Sequence, residues 1–215
     1  MTMDNNLNQL SVDEFVAALY SKQPVPGGGG VAALCAAMAA ALCGMVANLT
    51  YGKKKYEKYN EDIEKILKKS LSVKNHCLEF VNEDARSFTP LAKAYSLPAQ
   101  SEEQKTVKNE AMQIALKAAS QTPVECIRIS CEIIAMLAEL SEKGNMLALS
   151  DIGAGAACVL AAIKSAWMTV LININLMDDT QYVNTVREEL RILIKQAEID
   201  CAQIYDKVEE KLCRV

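Results

Sequence analysis

The stretch VAALCAAMAAALCGMVANLTY, residues 31–51, decides the fold. It carries no charged residue, alanine is its commonest member, and Val31, Leu34, Met38, Leu42, Met45 and Leu49 recur at steps of three and four. That is the period of a helix and not of a strand. Its length would suffice to cross a bilayer, for which about 20 residues are enough. Yet Cys35, Cys43, Asn48 and Thr50 interrupt it, and its neighbours supply no aromatic belt. It reads as the buried, Ala-rich central helix of a bundle, enclosed by other helices within the chain or across an oligomer interface. A small membrane-embedded bundle is the alternative.

Working outward, Lys22–Gly30 breaks the chain, because Pro24, Pro26 and the run Gly27–Gly30 cannot continue a helix. Before it, Ser11 and Glu14 form a capping box that starts a short helix to Tyr20. After Gly52 come Lys53, Lys54 and Lys55, and then Tyr59, Ile63, Ile66, Leu67, Leu71, Cys77, Val81 and Phe88 repeat at helical spacing. Pro90 and Pro98 bracket the weak end of that helix. Ser101 with Gln104 starts the next one, through Leu116 and Ala118. Thr122-Pro123-Val124-Glu125 reads as a fresh start, with Pro123 in the first turn, and Gly144 is expected to take a left-handed cap. Ser150-Asp151 opens an Ala- and Gly-rich helix through Trp167. Residues 168–176 have some β character. Val183, Val186, Leu190, Leu193, Ala197, Cys201, Ile204, Val208 and Leu212 mark a long surface helix. The expectation is an all-α, single-domain bundle of six to eight helices spanning 1–215.

Composition narrows the function. The formal charge is −4, with both signs mixed along the chain, so nothing favours a phosphate backbone and nucleic-acid binding has no support. The eight cysteines form no CxxC pair and sit mostly among Ala, Leu, Ile and Val, as small buried hydrophobes of a reducing cytosol do. The N-terminus MTMDNNLNQL resembles no signal peptide, so a cytoplasmic location without membrane attachment is expected. His76 is the only histidine, which excludes a multi-histidine metal centre.

Polar groups on apolar stripes are the places for chemistry. Asp84 shares a helix face with Cys77, Val81 and Phe88, where desolvation could raise its pKa into the range useful for proton transfer. The alternative is a helix-end carboxylate paired with Lys or Arg. The glycine run before a helix could offer backbone amides to an anion, or could merely allow close packing. Asn48, Thr50 and Lys53 cluster where the apolar helix ends and could line a partly apolar pocket; the lysines could equally be a solvated face. Ser150, Asp151, Asn173 and Asn175 lie at the ends of another apolar helix, as site residues or as caps. The set suits metal-free acid/base catalysis on a substrate that is already electrophilic.

These residues resemble a known family. Residues 24–33, PVPGGGGVAA, then 45–56, MVANLTYGKKKY, are similar to the opening of the formiminotransferase-cyclodeaminase family. Asn82-Glu83-Asp84-Ala85 with Tyr95-x-Leu97-Pro98, Gly144-Asn145 with Ser150-Asp151-x-Gly153, and Asn173-Ile174-Asn175-Leu176 resemble its later motifs. At Gly30 the chain departs from the family's Ser.

The resemblance implies an all-helical, metal-free homodimer acting on folates, with no cofactor beyond the tetrahydrofolate substrate. It implies that the Pro-Gly loop (Pro26, Gly27, Gly28, Gly29), Asn48, Lys53, Asp84, Asp151 and Asn175 line the folate site. From their place at the ends of the apolar helix we add Ser150 and Asn173 to the substrate-binding residues, and from their chemistry we expect Asp84, Lys53 and Asp151 to be the catalytic set. Asp84 is the expected proton-transfer group and Asp151 the runner-up. The expected reaction is hydrolysis of 5,10-methenyltetrahydrofolate to 10-formyltetrahydrofolate. Formimidoyltetrahydrofolate cyclodeamination is one alternative, and a non-catalytic helical interaction protein is another.

Overall fold

The computed structural model describes residues 6–214. Part of the N-terminal segment read for targeting, residues 1–5, lies outside them. Six α-helices follow in order: α1 (Val12–Tyr20), α2 (Gly28–Thr50), α3 (Asn60–Ser96), α4 (Glu102–Lys143), α5 (Leu149–Ile174) and α6 (Thr180–Cys213). No strand occurs among the described residues, and 168–174 is helix. Residues from all six helices meet in one apolar core.

α2 packs between α3 and α5 and against α4. Ala32, Ala36, Ala39, Ala40 and Ala47 are buried there, and their short side chains let the backbones approach closely. The enclosure is one-sided, however, because Met38 and Met45 remain 44% and 47% exposed. α2 and α5 are each long and apolar enough to cross a membrane, but 56% and 50% of those stretches are buried inside the bundle. On α6 the buried stripe runs through Ile194, with Leu193 half-buried against the core, and ends at Val208, leaving the expected Leu212 exposed.

Three local expectations fail, each for a tertiary reason. Thr122-Pro123 does not start a helix, for α4 passes straight through Pro123. Proline cannot donate to the carbonyl four residues back, which is that of Ala119. The Asn173 side chain on α5 donates to this carbonyl instead, at 3.3 Å. α3 also passes through Pro90 and ends at Ser96, between the two prolines that bracket its expected weak end. At Pro90 the freed carbonyl belongs to exposed Arg86, while Leu91 and Ala94 stay buried and hold the last turns to the bundle.

Gly144 has φ −74°, not a left-handed value. It is glycine for space: a Cβ would lie 2.5 Å from the Leu140 carbonyl oxygen and 3.0 Å from Val46 Cγ1. Ser150 and Asp151 fall inside the first turn of α5 and do not cap it. The turn before α5 is organised by buried Asn145. Its Oδ1 accepts from the Leu147 amide, its amide donates to Thr50 Oγ1 and its Nδ2 to the Leu49 carbonyl. Asn145 thereby ties the last turn of α2 to the start of α5.

Candidate functional site

The helical spacing that put Asp84 on the face of Cys77 and Val81 has a direct consequence, since both neighbours are buried and the carboxylate follows them inward. It meets the first turn of α2. A Cβ on Gly29 would fall 2.0 Å from Asp84 Oδ1 and 2.5 Å from Cγ, so only glycine fits. Gly28 and Gly30 are under no such constraint: a Cβ there would make ordinary contacts, 3.7 Å from Thr169 Oγ1 and 3.5 Å from Pro26 Cβ. The departure from Ser at Gly30 is therefore sterically neutral. The anion that sits against this glycine-rich helix start is the protein's own carboxylate.

Burial pushes the Asp84 carboxyl up from its ordinary 3.8 to about 6, and the Gly30 amide, which favours the ionised form, offsets only part of that. Among the described residues no Lys or Arg pairs with Asp84. The surface ion-pair alternative thus fails. The group is a desolvated acid whose charge state changes near neutral pH.

Asp84 faces a cavity of about 220 Å³. Pro24, Val25 and Gly27–Gly29 form one wall, Ser87, Phe88 and Leu91 of α3 a second, and Thr169, Ile172 and Asn173 of α5 a third. Clefts that hold a drug-sized ligand whole measure about 300–1,000 Å³. This one is smaller, so a drug-sized ligand would extend beyond it.

The expected site residues divide into two groups. Gly27, Gly28, Gly29, Asp84 and Asn173 come together in the cavity. Pro26 is buried behind them. Asn175 lies at the same end of α5, but its Oδ1 accepts from Arg187 of α6 at 2.9 Å, and it is not among the residues that line the Asp84 cavity. Asn48 bonds back to the Gly44 carbonyl of its own helix. Twenty residues of α2 separate Asn48 from Gly28, about 30 Å at 1.5 Å per residue. Lys53 lies beyond it. Ser150 and Asp151 stand at the opposite end of α5 from Asn173, about 33 Å away by the same rise. Within one chain, then, Asn48, Lys53, Ser150 and Asp151 do not reach Asp84, because α2 and α5 run the length of the bundle.

A larger cavity, about 520 Å³, lies between α2 and α3 and includes Asn48 and Leu71. Its lining contains no carboxylate, and its Lys68 is paired with Glu64. The smaller Asp84 cavity holds the titratable group and is the better candidate site.

Sequence reading missed Ser87 and Thr169, the two hydroxyls of the cavity. Helical spacing could have found both, since Ser87 follows Asp84 by three positions and Thr169 precedes Asn173 by four.

Asn173 does double service, lining the cavity and satisfying Ala119. Asn173→Leu is expected to cost about 1–3 kcal/mol by leaving that carbonyl unpaired. Adding Pro123→Ala restores an intrahelical donor. Urea denaturation of the four chains of this cycle should give a coupling energy that recovers part of the loss.

Comparison with known proteins adds the following. Residues 11–192 match the model of a family described as formiminotransferase-cyclodeaminase. The chain is 35% identical over 202 residues to the methenyltetrahydrofolate cyclohydrolase of Methylorubrum extorquens, covering 94% of this chain and 97% of that one. It is 27% identical to the formimidoyltransferase-cyclodeaminase of Rattus norvegicus, covering 97% of this chain but only 38% of that longer protein. Among solved structures, the formiminotetrahydrofolate cyclodeaminase of Thermotoga maritima superimposes with a TM-score of 0.78. It shares 30% identity, and the match covers 96% of this chain and 97% of that one.

Proposed function

This chain belongs to the formiminotransferase-cyclodeaminase family, and from that premise we propose that it is a folate one-carbon enzyme that hydrolyses 5,10-methenyltetrahydrofolate to 10-formyltetrahydrofolate. The observation that carries the reading is Asp84: a half-buried residue whose carboxyl desolvation pushes up to about 6, held against the glycine start of α2 in a small cavity. Near neutral pH such a group is ionised and still basic enough to take a proton. The M. extorquens cyclohydrolase, matched over nearly its whole length, supports this reaction over the alternative.

The reaction needs little from the protein beyond position and one proton acceptor. The methenyl carbon bridging N5 and N10 is a cation, and the Asp84 carboxylate is its complementary charge. Water adds to that carbon while Asp84 accepts a proton from it. The carbon–N5 bond then breaks, its electron pair taking the proton held by Asp84 to leave N5–H, while the new hydroxyl gives up its proton to solvent and becomes the carbonyl of the formyl group on N10. One water is consumed and one proton is released. The substrate is its own electrophile, so the reading requires no metal and no cofactor beyond tetrahydrofolate. Gly27–Gly29 and Asn173 shape the wall against which the ring docks. We place the enzyme in the cytoplasm as a soluble homodimer.

A second reading is favoured by the T. maritima cyclodeaminase, which shares the fold over nearly the whole chain. In that reaction N10 attacks the formimino carbon carried on N5 and ammonia leaves, so the same acid stands beside the same carbon. Parallel assays of the purified protein with methenyl- and formimino-tetrahydrofolate separate the two. Turnover of the methenyl substrate well above the uncatalysed rate is expected. Ammonia release from the formimino substrate alone would transfer the assignment to cyclodeamination, and inactivity on both would remove it.

A further inference from the structure

Pro123 is buried in the interior of α4, where a proline forfeits one intrahelical hydrogen bond and crowds the preceding turn. The forfeited bond is the one to the Ala119 carbonyl, and Ala119 lines the Asp84 cavity. A helix that gives up this bond beside a cavity leaves there an acceptor that some other group has to satisfy. Asn173 of α5 supplies that group, its Nδ2 donating to the carbonyl at 3.3 Å in buried surroundings.

The pairing fixes more than a carbonyl. A side-chain amide has two ends of nearly equal size and opposite character, one a donor and one an acceptor. A carbonyl only accepts, so the end that meets Ala119 is the nitrogen and the oxygen is sent the other way. Among the described residues Asn173 Oδ1 accepts no hydrogen bond, and no fully buried side-chain oxygen or nitrogen lacks a partner. That oxygen is therefore open to the cavity that Asn173 lines. The two hydroxyls of the lining spend their protons on their own helices, Ser87 on the Asp84 carbonyl at 2.9 Å and Thr169 on the Ser165 carbonyl at 3.3 Å. What the side chains of the cavity offer a ligand is acceptors: the Asp84 carboxylate, the hydroxyl lone pairs and the Asn173 oxygen. Such a lining takes a ring with N–H groups on its rim and rejects one that presents carbonyls there, because two facing acceptors leave each other unpaired.

We propose that Pro123 is a positioning residue for the substrate: by freeing the Ala119 carbonyl it holds the Asn173 amide with its oxygen toward the cavity, where that oxygen accepts from an N–H of the pterin ring. The inference rests on the folate reading above, which supplies a ring carrying several N–H groups. It also accounts for a proline inside the 42-residue α4, since the bond the helix loses gives the site an acceptor of fixed direction. With an amide hydrogen at position 123, Ala119 would be satisfied within its own helix and the Asn173 amide would be free to turn its NH₂ toward the ring.

Pro123→Ala separates this role from a structural one. Restoring the helix hydrogen bond should raise the denaturant midpoint. Yet KM for the methenyl substrate should rise about tenfold, the upper end for one neutral hydrogen bond, with kcat at saturation unchanged. A proline that only shapes α4 would leave KM where it is, and that result overturns the proposal. The second variant exploits the symmetry of a carboxylate, both of whose ends accept. Asn173→Asp in the Pro123→Ala background presents an oxygen to the cavity whichever way it turns, so KM at pH 8 should return to within about threefold of the native value. A KM that stays raised in the double variant would show that the substrate does not meet an acceptor at position 173, and overturns the proposal as well. A native chain that turns over neither the methenyl nor the formimino folate would instead overturn the folate reading.

Discussion

Replacing Asp84 with Asn is expected to lower turnover of the methenyl substrate by about 10²–10⁴-fold, the usual loss for a principal acid/base group, while making the folded chain more stable at neutral pH. The two effects have one cause. The folded carboxyl titrates at about 6 and the ordinary value is 3.8, the shift coming from burial. Below 3.8 the carboxyl is protonated in both the folded and the unfolded chain and contributes no difference. As pH rises from there to about 6, the unfolded chain releases the proton and the folded chain keeps it, so stability falls. Above 6 the full cost of a buried charge is present.

Asn is neutral throughout and escapes that cost, which is of the order of 1–3 kcal/mol. Denaturant midpoints for the two chains should coincide near pH 3.5 and separate, with the variant higher, by pH 8. The rate should show the opposite dependence. Since the base form does the work, kcat/KM of the native chain should fall as pH drops through about 6, and the variant should lack that limb. A variant that is both inactive and less stable at pH 8 would mean that Asp84 is a structural anchor and not a desolvated acid.

The second large effect is expected at Gly29. Gly29→Ala puts a methyl group into the space of the Asp84 carboxylate, within 3 Å of all three carboxylate atoms. The backbone of α2 is held by its packing on α3 and α5, so the side chain of Asp84 is what yields. We expect a loss of about 10²-fold or more in kcat, the penalty for moving a reacting group by an ångström or so, with little change in helix content by circular dichroism. Gly28→Ala is the control, because its added Cβ meets Thr169 Oγ1 at an ordinary 3.7 Å. Equal losses in both variants would show that the whole glycine turn is needed for its flexibility and that the contact with Asp84 is incidental.

Several features of the site and fold were legible in advance because they depend on local rules. Both capping boxes form as read, Ser11 with Glu14 and Ser101 with Gln104, since each needs only residues three apart. The face of Asp84 follows from the period of α3, and Ala-rich α2 packs along both α3 and α5. Pro123 was misread because proline is judged by what it removes from its own helix. At Pro123 the missing donor is replaced by Asn173, from a helix some fifty residues later in the chain. No local rule sees that.

Spacing along the chain thus determined which segments are helical, which faces they bury, and that one carboxylate is carried into an apolar interior. Periodicity is a property of consecutive residues, so those conclusions need nothing else. The meeting of helix ends is different, being fixed only when the whole bundle packs. It joined the glycine turn to Asp84 and Asn173, kept Asn48, Lys53 and Asp151 a helix length away, and turned an uncharged seam of α2 outward. Residues grouped by motif can therefore stand at opposite ends of a rod of helix, and only the tertiary arrangement says which of them share a site.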